Sequence, residues 1–372
     1  MSKKYLVKLT PHDKFFFGGE TTFGEGNVNY FVKSNYFPQQ TSLLGLVRYQ
    51  LLVQNSDGVF KDNKITNSTE AVKLINNKSF DTNDRSFSFG KIEELSAVFI
   101  VGENEEYLFP ANKEYQWDAE EHKYMLREFR KEPNSKSSTY CQKDFIPYLE
   151  NYIAKDELPD LLLSTKNKEI HKYSNIFIED KQVGIRKNYK GKTEDKAFYV
   201  QSFYRLKKGY SLAFIVELDD GVNFSTNELV TLGGEQSKFR MEVNEFAKEF
   251  SDILPQYESS KYSDKVVLVS DAYVSNKIFD DCDFAVTDTI DFRSIKSTKN
   301  TTNYSSMDRS GIKTDELSKT DKYHFFKRGS VFYGEETSKI VFHLNSSDNN
   351  NEKSPLKKIG YNNYKIVNKK EE

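Results

Sequence analysis

The sequence contains little cysteine, histidine or tryptophan and no long apolar run. Of its 372 residues, two are cysteine (Cys141 and Cys282), five are histidine and one is tryptophan. Two distant cysteines do not form a disulfide framework, so we expect an intracellular, cytoplasmic protein. No apolar run approaches the roughly 18 residues that span a membrane, and the first residues lack the extended apolar stretch of a signal peptide.

The sequence also lacks the motifs of the common catalytic and metal centres. Its histidines are isolated, and no Cys-x-x-Cys pair with zinc spacing is present. The acidic stretch "DDCDF" at 280–284 is more typical of a solvated loop than of a metal site. In "GIRKNYKGKT" six residues separate the glycines, whereas a nucleotide-binding P-loop needs four. We therefore expect no catalytic residue, no metal and no cofactor.

Aromatic residues are abundant, and positive charge is concentrated locally. The 29 Phe and 23 Tyr fit strands and offer stacking surfaces. Because the net charge is −2, any polyanion site must be a local patch. Residues 181–192 provide one, without an acidic residue and around Tyr189; its cations are Lys181, Arg186, Lys187, Lys190 and Lys192. This segment is either a solvated loop or a loop on a phosphate backbone.

The N-terminal pattern predicts a strand, a loop and a helix. Tyr5, Val7 and Leu9 alternate in "KKYLVKLTP", which predicts an edge or first strand. Residues 12–37 are a glycine-containing loop. A helix follows from about 40 to 54, capped by Thr41 or Ser42. Gly45 within it costs about 1 kcal/mol relative to Ala, so we expect the helix to approach the sheet closely there.

Further elements follow from alternation and turn residues. The expected strands cover 96–102, Ala197–Tyr204, Tyr210–Leu218, "SKFRMEV", 265–270, 330–334 and 339–344, and the expected helices cover "STNELVTL" and about 244–254. The strands at 197–204 and 210–218 form a hairpin around Lys207–Gly209. Polar segments at 61–85 and 117–145 are irregular, and those at 294–322 and 345–355 are mobile loops.

The order of elements over the first 243 residues, βαββαβ, is the ferredoxin-like or RRM-like pattern. It predicts an α+β protein with large loop insertions. The first domain covers residues 1–245, with insertions at about 60–180 and a glycine-rich loop at 232–236. Residues 246–372 form a second domain.

Two features near glycines suggest anion binding, each with a plain structural alternative. Gly233 and Gly234 either end a helix or let the backbone approach phosphates, with Lys238 and Arg240 supplying charge. Arg48 is either a surface arginine or a clamp for a phosphate or carboxylate.

Together these segments resemble the RAMP proteins of CRISPR effector complexes, and more closely the third-subunit family of the Cmr (type III-B) complex. The resemblance is carried by "LTPHDKFFFGG", "FPQQTSLLGLVRY", "VGIRKN…KTEDKAFYVQSFYRLKKG", "LGGEQSKFR" and "KRGSVFYGEE". These segments recur in the family's order over most of the chain. The family tends to place an arginine soon after the loop glycines, whereas here Gln236, Ser237 and Lys238 precede Arg240.

The resemblance implies two ferredoxin-like domains facing each other and no catalysis. It implies binding of the 5′ tag of the guide RNA, with the large polymerase/cyclase-type subunit and the first backbone RAMP subunit as partners. We expect residues 18–26 and the first turn of the helix to face RNA or a partner subunit. The expected RNA-binding residues are Lys14, Gln39, Gln40, Arg48, Arg186, Lys187, Tyr189, Lys190, Lys192, Gly233, Gly234, Lys238, Arg240 and Arg328.

Two other functions remain open on the sequence. One is a RAMP endoribonuclease that trims repeat RNA, with His12 or His324 as general acid or base. The other is a scaffold that binds only protein.

Overall fold

The computed structural model describes most of the chain. The described residues are 2–18, 31–55, 58–62, 64–76, 80–81, 88–133, 145–153, 155, 158–187, 190–297, 317–345 and 354–370. Cys141, most of the expected glycine loop at 18–26, and most of the loops expected at 294–322 and 345–355 lie outside these residues.

The described chain is rich in short strands and contains few helices. The strands are β1 (Ser2–Pro11), β2 (Phe31–Lys33), β3 (Phe60–Lys61), β4 (Lys64–Ile65), β5 (Ile92–Leu95), β6 (Phe99–Val101), β7 (Tyr107–Pro110), β8 (Tyr115–Asp118), β9 (Lys123–Leu126), β10 (Phe129–Pro133), β11 (Phe145–Leu149), β12 (Leu161–Ser164), β13 (Ile170–Lys172), β14 (Phe177–Lys187), β15 (Thr193–Leu206), β16 (Ser211–Asp219), β17 (Asn227–Thr231), β18 (Lys238–Glu245), β19 (Lys265–Leu268), β20 (Phe284–Val286), β21 (Thr289–Phe292), β22 (Ile295–Ser297), β23 (Leu317–Lys319), β24 (Tyr323–Phe326), β25 (Val331–Tyr333) and β26 (Tyr364–Val367). The helices are α1 (Gln40–Gln54), α2 (Ser68–Ile75), α3 (Thr337–Asn345) and α4 (Pro355–Lys358).

The largest sheet has the order β13-β12-β7-β6-β16-β1-β18-β17, and β5 also pairs with β16. β1 is the first strand, as expected, but it lies inside the sheet, antiparallel to both β16 and β18. The expected alternation is confirmed, because Val7 and Leu9 are fully buried on one face. Leu6 is buried on the opposite face in a second cluster. A first strand covered on both faces therefore forms the centre of this sheet.

Helix α1 covers Gln40–Gln54, as the apolar spacing predicts. Leu43, Val47 and Leu51 are fully buried against the sheet. The expected cap is wrong: Thr41 and Ser42 lie inside the helix, and the N-cap residue Gln39 makes no side-chain cap bond. Instead, the Gln40 N–H donates to the Tyr361 hydroxyl at 3.2 Å. A residue far along the chain thus takes over the capping role, which local sequence does not reveal.

The expected close approach of α1 through Gly45 is also wrong. Gly45 is exposed, and a Cβ built there would meet no atom within 4 Å. Glycine therefore only weakens the helix at this position. We expect Gly45→Ala to raise the free energy of unfolding by about 1 kcal/mol, measured by urea denaturation. A destabilised variant would show that the site is crowded.

The expected hairpin consists of correctly placed strands that do not pair with each other. β15 pairs antiparallel with β14 and parallel with β2 in a separate three-stranded sheet. β16 instead pairs with β1 and β6 in the large sheet. The connection at 207–210 therefore passes the chain from one sheet to another. β15 instead pairs with β14 along most of its length, from Leu206 opposite Phe177 to Thr193 opposite Lys187.

Several other local expectations are wrong for the same reason, since pairing partners outweigh local preference. The stretch expected to be the helix "STNELVTL" contains β17, which pairs with β18. Residues 339–344, expected to be a strand, lie in α3. In place of a helix at 244–254, β18 continues to Glu245 and a 3₁₀ turn covers Phe250–Ile253. The polar segments at 61–85 and 117–145 contain α2, β4, β8, β9 and β10.

A second antiparallel sheet has the order β20-β25-β19-β26. It contains the strands expected at 265–270 and 330–334, and α3 packs beside β19, where Ile340 and Leu344 are fully buried with Val266 and Leu268. The two sheets are not separate cores. Phe325, Ile359 and Tyr361 from the C-terminal part pack in the same cluster as Val7 and Leu43. The protein is a strand-rich mixed α/β chain whose two main sheets are joined by shared apolar contacts.

Candidate nucleic-acid interface

The glycine-rich loop at 232–236 packs against the segment that follows β1. Gly233 has φ +86°, and a Cβ there would lie 2.5 Å from the carbonyl oxygen of Phe16. The Gly234 N–H donates to this same oxygen at 2.8 Å, and Ser237 Oγ accepts from the Phe16 N–H at 3.0 Å. The glycines permit a close approach, as expected, but the group approached in this structure is the backbone of Phe16. The preceding element is a strand, so the helix-cap alternative is wrong.

The two cations beyond the loop point into solvent and have partners. Lys238 Nζ donates to Thr231 Oγ1 at 2.8 Å. Arg240 forms ion pairs of 3.0 Å with both Glu228 and Glu242. Exposed ion pairs of this kind contribute little, so a phosphate can replace the glutamates at small cost.

The basic segment 181–192 is not a free loop. Residues up to 187 belong to β14, and Lys181 lies 3.6 Å from Glu179. Lys190 and Lys192 are exposed. The side chains of Arg186 and Lys187 and the whole of Tyr189 lie outside the described part of the chain. The positive charge is therefore divided between β14, which forms a β-ribbon with β15 and β2, and the turn at 190–192 that leads into β15.

One face of this ribbon carries exposed apolar side chains, which sequence reasoning missed. Phe31 is 46% exposed, Val183 67%, Ile185 43% and Phe198 57%. The signal that could have found them is alternation, because Val183 and Ile185 lie two residues apart on one strand. Exposed apolar side chains grouped on one face are typical of a binding surface.

The residues expected around α1 are mostly interior. Gln40 is 1% exposed, and its Nε2 donates to the carbonyl oxygens of Ser96 and Ile359, both at 2.7 Å. Gln39 is half-buried at the N-cap. Arg48 is half-buried on α1, and burial lowers the pKa of its guanidinium to about 10. In this structure Gln40 connects α1 to the C-terminal segment instead of reaching outward.

Lys14 lies beside the ribbon. Its Nζ is 3.7 Å from Asp180 and 4.8 Å from the centre of the Phe203 ring. Arg205 forms a further ion pair with Asp180 at 2.8 Å. Lys14 therefore helps to attach the segment after β1 to the ribbon.

Arg328 lies in the interior of a cleft that is also lined by β2 and the residues that follow it. It is 7% exposed, and it pairs with Asp271 through two bonds, Nε–Oδ1 at 3.2 Å and Nη2–Oδ2 at 3.0 Å. Its guanidinium also lies 4.4 Å from the centre of the Phe37 ring. Burial by itself raises the pKa of Asp271, but the adjacent Arg328 outweighs it, so this pKa lies below its ordinary value.

The cleft contains a cavity of about 270 Å³. Its lining combines aromatic, cationic and acidic side chains: Lys33, Ser34, Asn35, Tyr36, Phe37, Asp160, Tyr173, Asp271, Ile290, Lys327 and Arg328. Asp160 is bonded to Lys327 at 2.7 Å and to Lys113 at 3.1 Å. Lys33, Asp160 and Lys327 were not expected from the sequence, since each is an ordinary charged residue locally. Of the expected residues, Arg328 alone lines this cavity.

The comparisons with known proteins identify the family. The model of the family described as CRISPR-associated protein (Cas_Cmr3) matches residues 7–369. The chain belongs to the Cas_Cmr3 family. This confirms the resemblance found in the sequence, and the match includes the glycine-rich loop, the ribbon and the cleft.

A solved structure shares the fold of this Cas_Cmr3 chain at low sequence identity. A chain of the Type III-B Cmr-beta bound to cognate target RNA, determined by cryo-EM, is 14% identical, with a TM-score of 0.50 over 99% of each chain. A chain of the same assembly with AMPPnP has 13% identity and a TM-score of 0.47, over 98% of this chain and 99% of the other. None of the curated proteins matches this sequence significantly.

The histidines of this Cas_Cmr3 chain that were considered as acid–base groups lie apart. His12 Nε2 is 2.9 Å from the carbonyl oxygen of Glu228, and His324 Nδ1 is 2.8 Å from Asp291 Oδ1. His324 is 65% exposed. Within the described residues, no group of three or more His, Cys, Asp or Glu side chains is arranged to hold a metal ion. No helix of the described chain is long and apolar enough to cross a membrane.

The buried aspartates predict acid sensitivity. The pKa of Asp160 is lowered, since Lys327 and Lys113 outweigh the opposing effect of burial, and the pKa of Asp271 is lowered as described above. A carboxylate whose pKa is lowered in the folded state stabilises the fold at pH values above its ordinary pKa of about 3.9. This stabilisation is lost as the pH falls through the folded-state pKa. We therefore expect the urea concentration at the unfolding midpoint to decrease when the pH is lowered below about 4.

Asp271→Asn isolates one of these contributions. We expect the variant to be less stable than the parent at pH 7 and to lose less stability between pH 6 and pH 3. Parallel pH profiles for variant and parent would contradict the assignment to Asp271.

Proposed function

We propose that this chain is the guide-RNA-binding subunit of a type III-B Cmr effector complex, holding the 5′ tag of the guide RNA for antiviral defence in the cytoplasm. The observation that carries the proposal is the family match over residues 7–369. The similar chain with a TM-score of 0.50 comes from a Cmr assembly bound to cognate target RNA. The glycine-rich loop and the ribbon are the surfaces of this chain with the chemistry to bind RNA.

The electrostatics support RNA binding by local patches. The net charge of −2 gives no general attraction for nucleic acid. Lys238 and Arg240 are exposed beside the glycine-rich loop, and Lys190 and Lys192 are exposed in the turn that leads into β15. Cations beside aromatic and apolar side chains suit single-stranded RNA, whose bases are available for stacking.

We further propose that the subunit has no catalytic activity of its own. His12 and His324 each contact one oxygen acceptor, and neither lines the cleft cavity. Cleavage of RNA needs a positioned proton donor beside the scissile 2′-OH. A metal-independent, pH-dependent cut of repeat RNA that disappears in His12→Ala or His324→Ala would favour the endoribonuclease alternative.

We also propose that this chain binds two protein partners, the large polymerase/cyclase-type subunit and a backbone RAMP subunit. We propose as well that the two sheets are ferredoxin-like units, divided near residue 245. In support, the order is β6-β16-β1-β18 in one sheet and β20-β25-β19-β26 in the other. In both, the first strand in the chain lies between the third and the fourth, as a split βαβ arrangement requires.

The decisive experiment is to tag this protein in its host, purify it gently and sequence the small RNA that accompanies it. We expect short RNAs that share one fixed 5′ segment followed by varied spacers. Lys238→Ala with Arg240→Ala should reduce the recovered guide RNA, whereas the exposed control Lys339→Ala on α3 should not. Recovery of partner proteins without enriched RNA would overturn the proposal and favour a protein-only scaffold.

A further inference from the structure

The register of the ribbon groups its apolar side chains on one face. Val183 pairs with Val200, and Val200 pairs with Phe31 on the other side. Ile185 pairs with Phe198. Side chains of paired residues point to the same face of a sheet, as do residues two apart on a strand. These five side chains, which we call the ribbon face, therefore form one continuous apolar surface.

The next row of the same face carries positive charge. Ser202 pairs with Lys181 on one side and with Lys33 on the other. Lys181 has Glu179 as a partner at 3.6 Å. Lys33 makes no ion pair with a described residue, and its Nζ instead lies 6.0 Å and 5.8 Å from the centres of the Tyr36 and Tyr204 rings. Glu179 lies on the same face and interacts electrostatically with both lysines, so this end of the ribbon carries two lysines against one carboxylate.

The cavity in the cleft begins where the ribbon face ends. Lys33 connects the ribbon face to the cavity, because it follows Phe31 by two residues on β2 and also lines the cavity. Tyr36, which lines the cavity, stacks on Tyr204 with ring centres 4.2 Å apart. The ribbon face, Lys33 and the cavity therefore form one connected track.

The acids of the cavity are paired with basic side chains, whereas one buried hydrogen-bond donor in the cavity wall lacks an acceptor. Asp160 is bonded to Lys113 and Lys327, and Asp271 to Arg328. Arg328 is 7% exposed, and its Nη1 has no hydrogen-bond partner among the described residues. A buried guanidinium N–H without an acceptor is costly. An occupant with hydrogen-bond acceptors would be favoured here over an apolar one.

We infer that the ribbon face, Lys33 and the cleft cavity form one track for single-stranded RNA, in which bases stack on the ribbon face, Lys33 holds a phosphate and the cavity takes a single nucleobase. The inference rests on the proposed function and names the surface that carries it. The cavity volume of about 270 Å³ is at or below the lower end of small-ligand sites, which suits one base and excludes a duplex. Tyr36, Phe37 and Tyr173 supply aromatic walls.

RNA fits this track better than a protein segment does. A protein partner that covered the ribbon face would have to supply an acid to balance the excess positive charge of Lys33 and Lys181 over Glu179. A nucleic-acid strand supplies both components, aromatic bases for the apolar face and phosphates for the lysine row.

The test is binding of a fluorescent single-stranded RNA to the full-length chain over a range of salt concentrations. Lys33→Ala should lower the affinity several-fold and reduce the slope of log K against log salt by about 0.7, the value for one phosphate contact on single strands. Phe198→Ala should lower the affinity about tenfold and leave that slope unchanged, because it removes stacking and no charge.

Matched controls separate a local effect from a general one. Phe342 on α3 is 57% exposed, the same as Phe198, and the side chain of Lys339 is 54% exposed. Phe342→Ala and Lys339→Ala should leave both affinity and slope unchanged. Equal losses in controls and test variants would overturn the track.

Photo-crosslinking of the assembled complex distinguishes failure of the track from failure of the proposed function. With 4-thiouridine placed at successive guide positions, one position should crosslink to residues 33–37. Guide RNA that is retained but crosslinks only elsewhere, for example to 232–240, would overturn the track and leave the guide-binding function intact. Absence of guide RNA from the complex would overturn both.

Discussion

Lys265→Met is expected to lower the free energy of unfolding by about 3–5 kcal/mol. Lys265 and Glu114 are each 1% exposed, and Lys265 Nζ bonds both carboxylate oxygens of Glu114, at 2.9 and 2.8 Å. The Tyr333 hydroxyl and the Asn112 amide also donate to this carboxylate. Removing the ammonium leaves a buried carboxylate without its counter-charge, which is the costly case. Urea denaturation of the full chain measures the loss.

A double variant tests whether this loss of stability comes from the unpaired carboxylate of Glu114. Adding Glu114→Gln to Lys265→Met removes that charge while keeping an acceptor for Tyr333, so the double variant should be more stable than Lys265→Met alone. The exposed pair Lys339–Glu336 at 2.9 Å provides the control, and Lys339→Met should change stability by less than about 0.5 kcal/mol. A double variant that is less stable than Lys265→Met would contradict the electrostatic explanation.

Gly360→Ala is expected to cost about 3–5 kcal/mol, through backbone strain and lost hydrogen bonds together. Gly360 has φ +94°, and a Cβ there would lie 1.8 Å from Gln40 Nε2 and 2.3 Å from the Ser96 carbonyl oxygen. The segment must therefore move away from α1, which breaks the bond from Gln40 to the Ile359 carbonyl oxygen. Because Ile359 and Tyr361 belong to the shared core, this contact helps to join the two sheets. The urea midpoint reports the change.

Gly58→Ala separates the two causes. Gly58 has φ +79°, but a Cβ there would meet nothing within 4 Å. This variant should lose only the cost of the left-handed conformation, about 1 kcal/mol. If Gly58→Ala and Gly360→Ala lost the same amount, close packing at Gly360 would contribute nothing.

The family resemblance could be recognised from sequence because its segments are local and ordered along the chain. The segments "FPQQTSLLGLVRY" and "LGGEQSKFR" each lie within one short stretch, and the family match covers them. The binding track could not be recognised in the same way. Lys33, Tyr204 and Arg328 are far apart in sequence, and each is unremarkable beside its own neighbours.

Helix α1 and strand β1 were determined by the sequence itself, because their apolar spacing matches the period of a helix or a strand and the residues at that spacing pack into one core. Tertiary pairing decided the rest. "STNELVTL" contains a strand that pairs with the edge of β18. β15 pairs with β14 instead of its expected partner, β16. Short segments without a strong period take the structure of their neighbours. The cleft and its charges therefore exist only once the end of the ribbon and the C-terminal part have packed together.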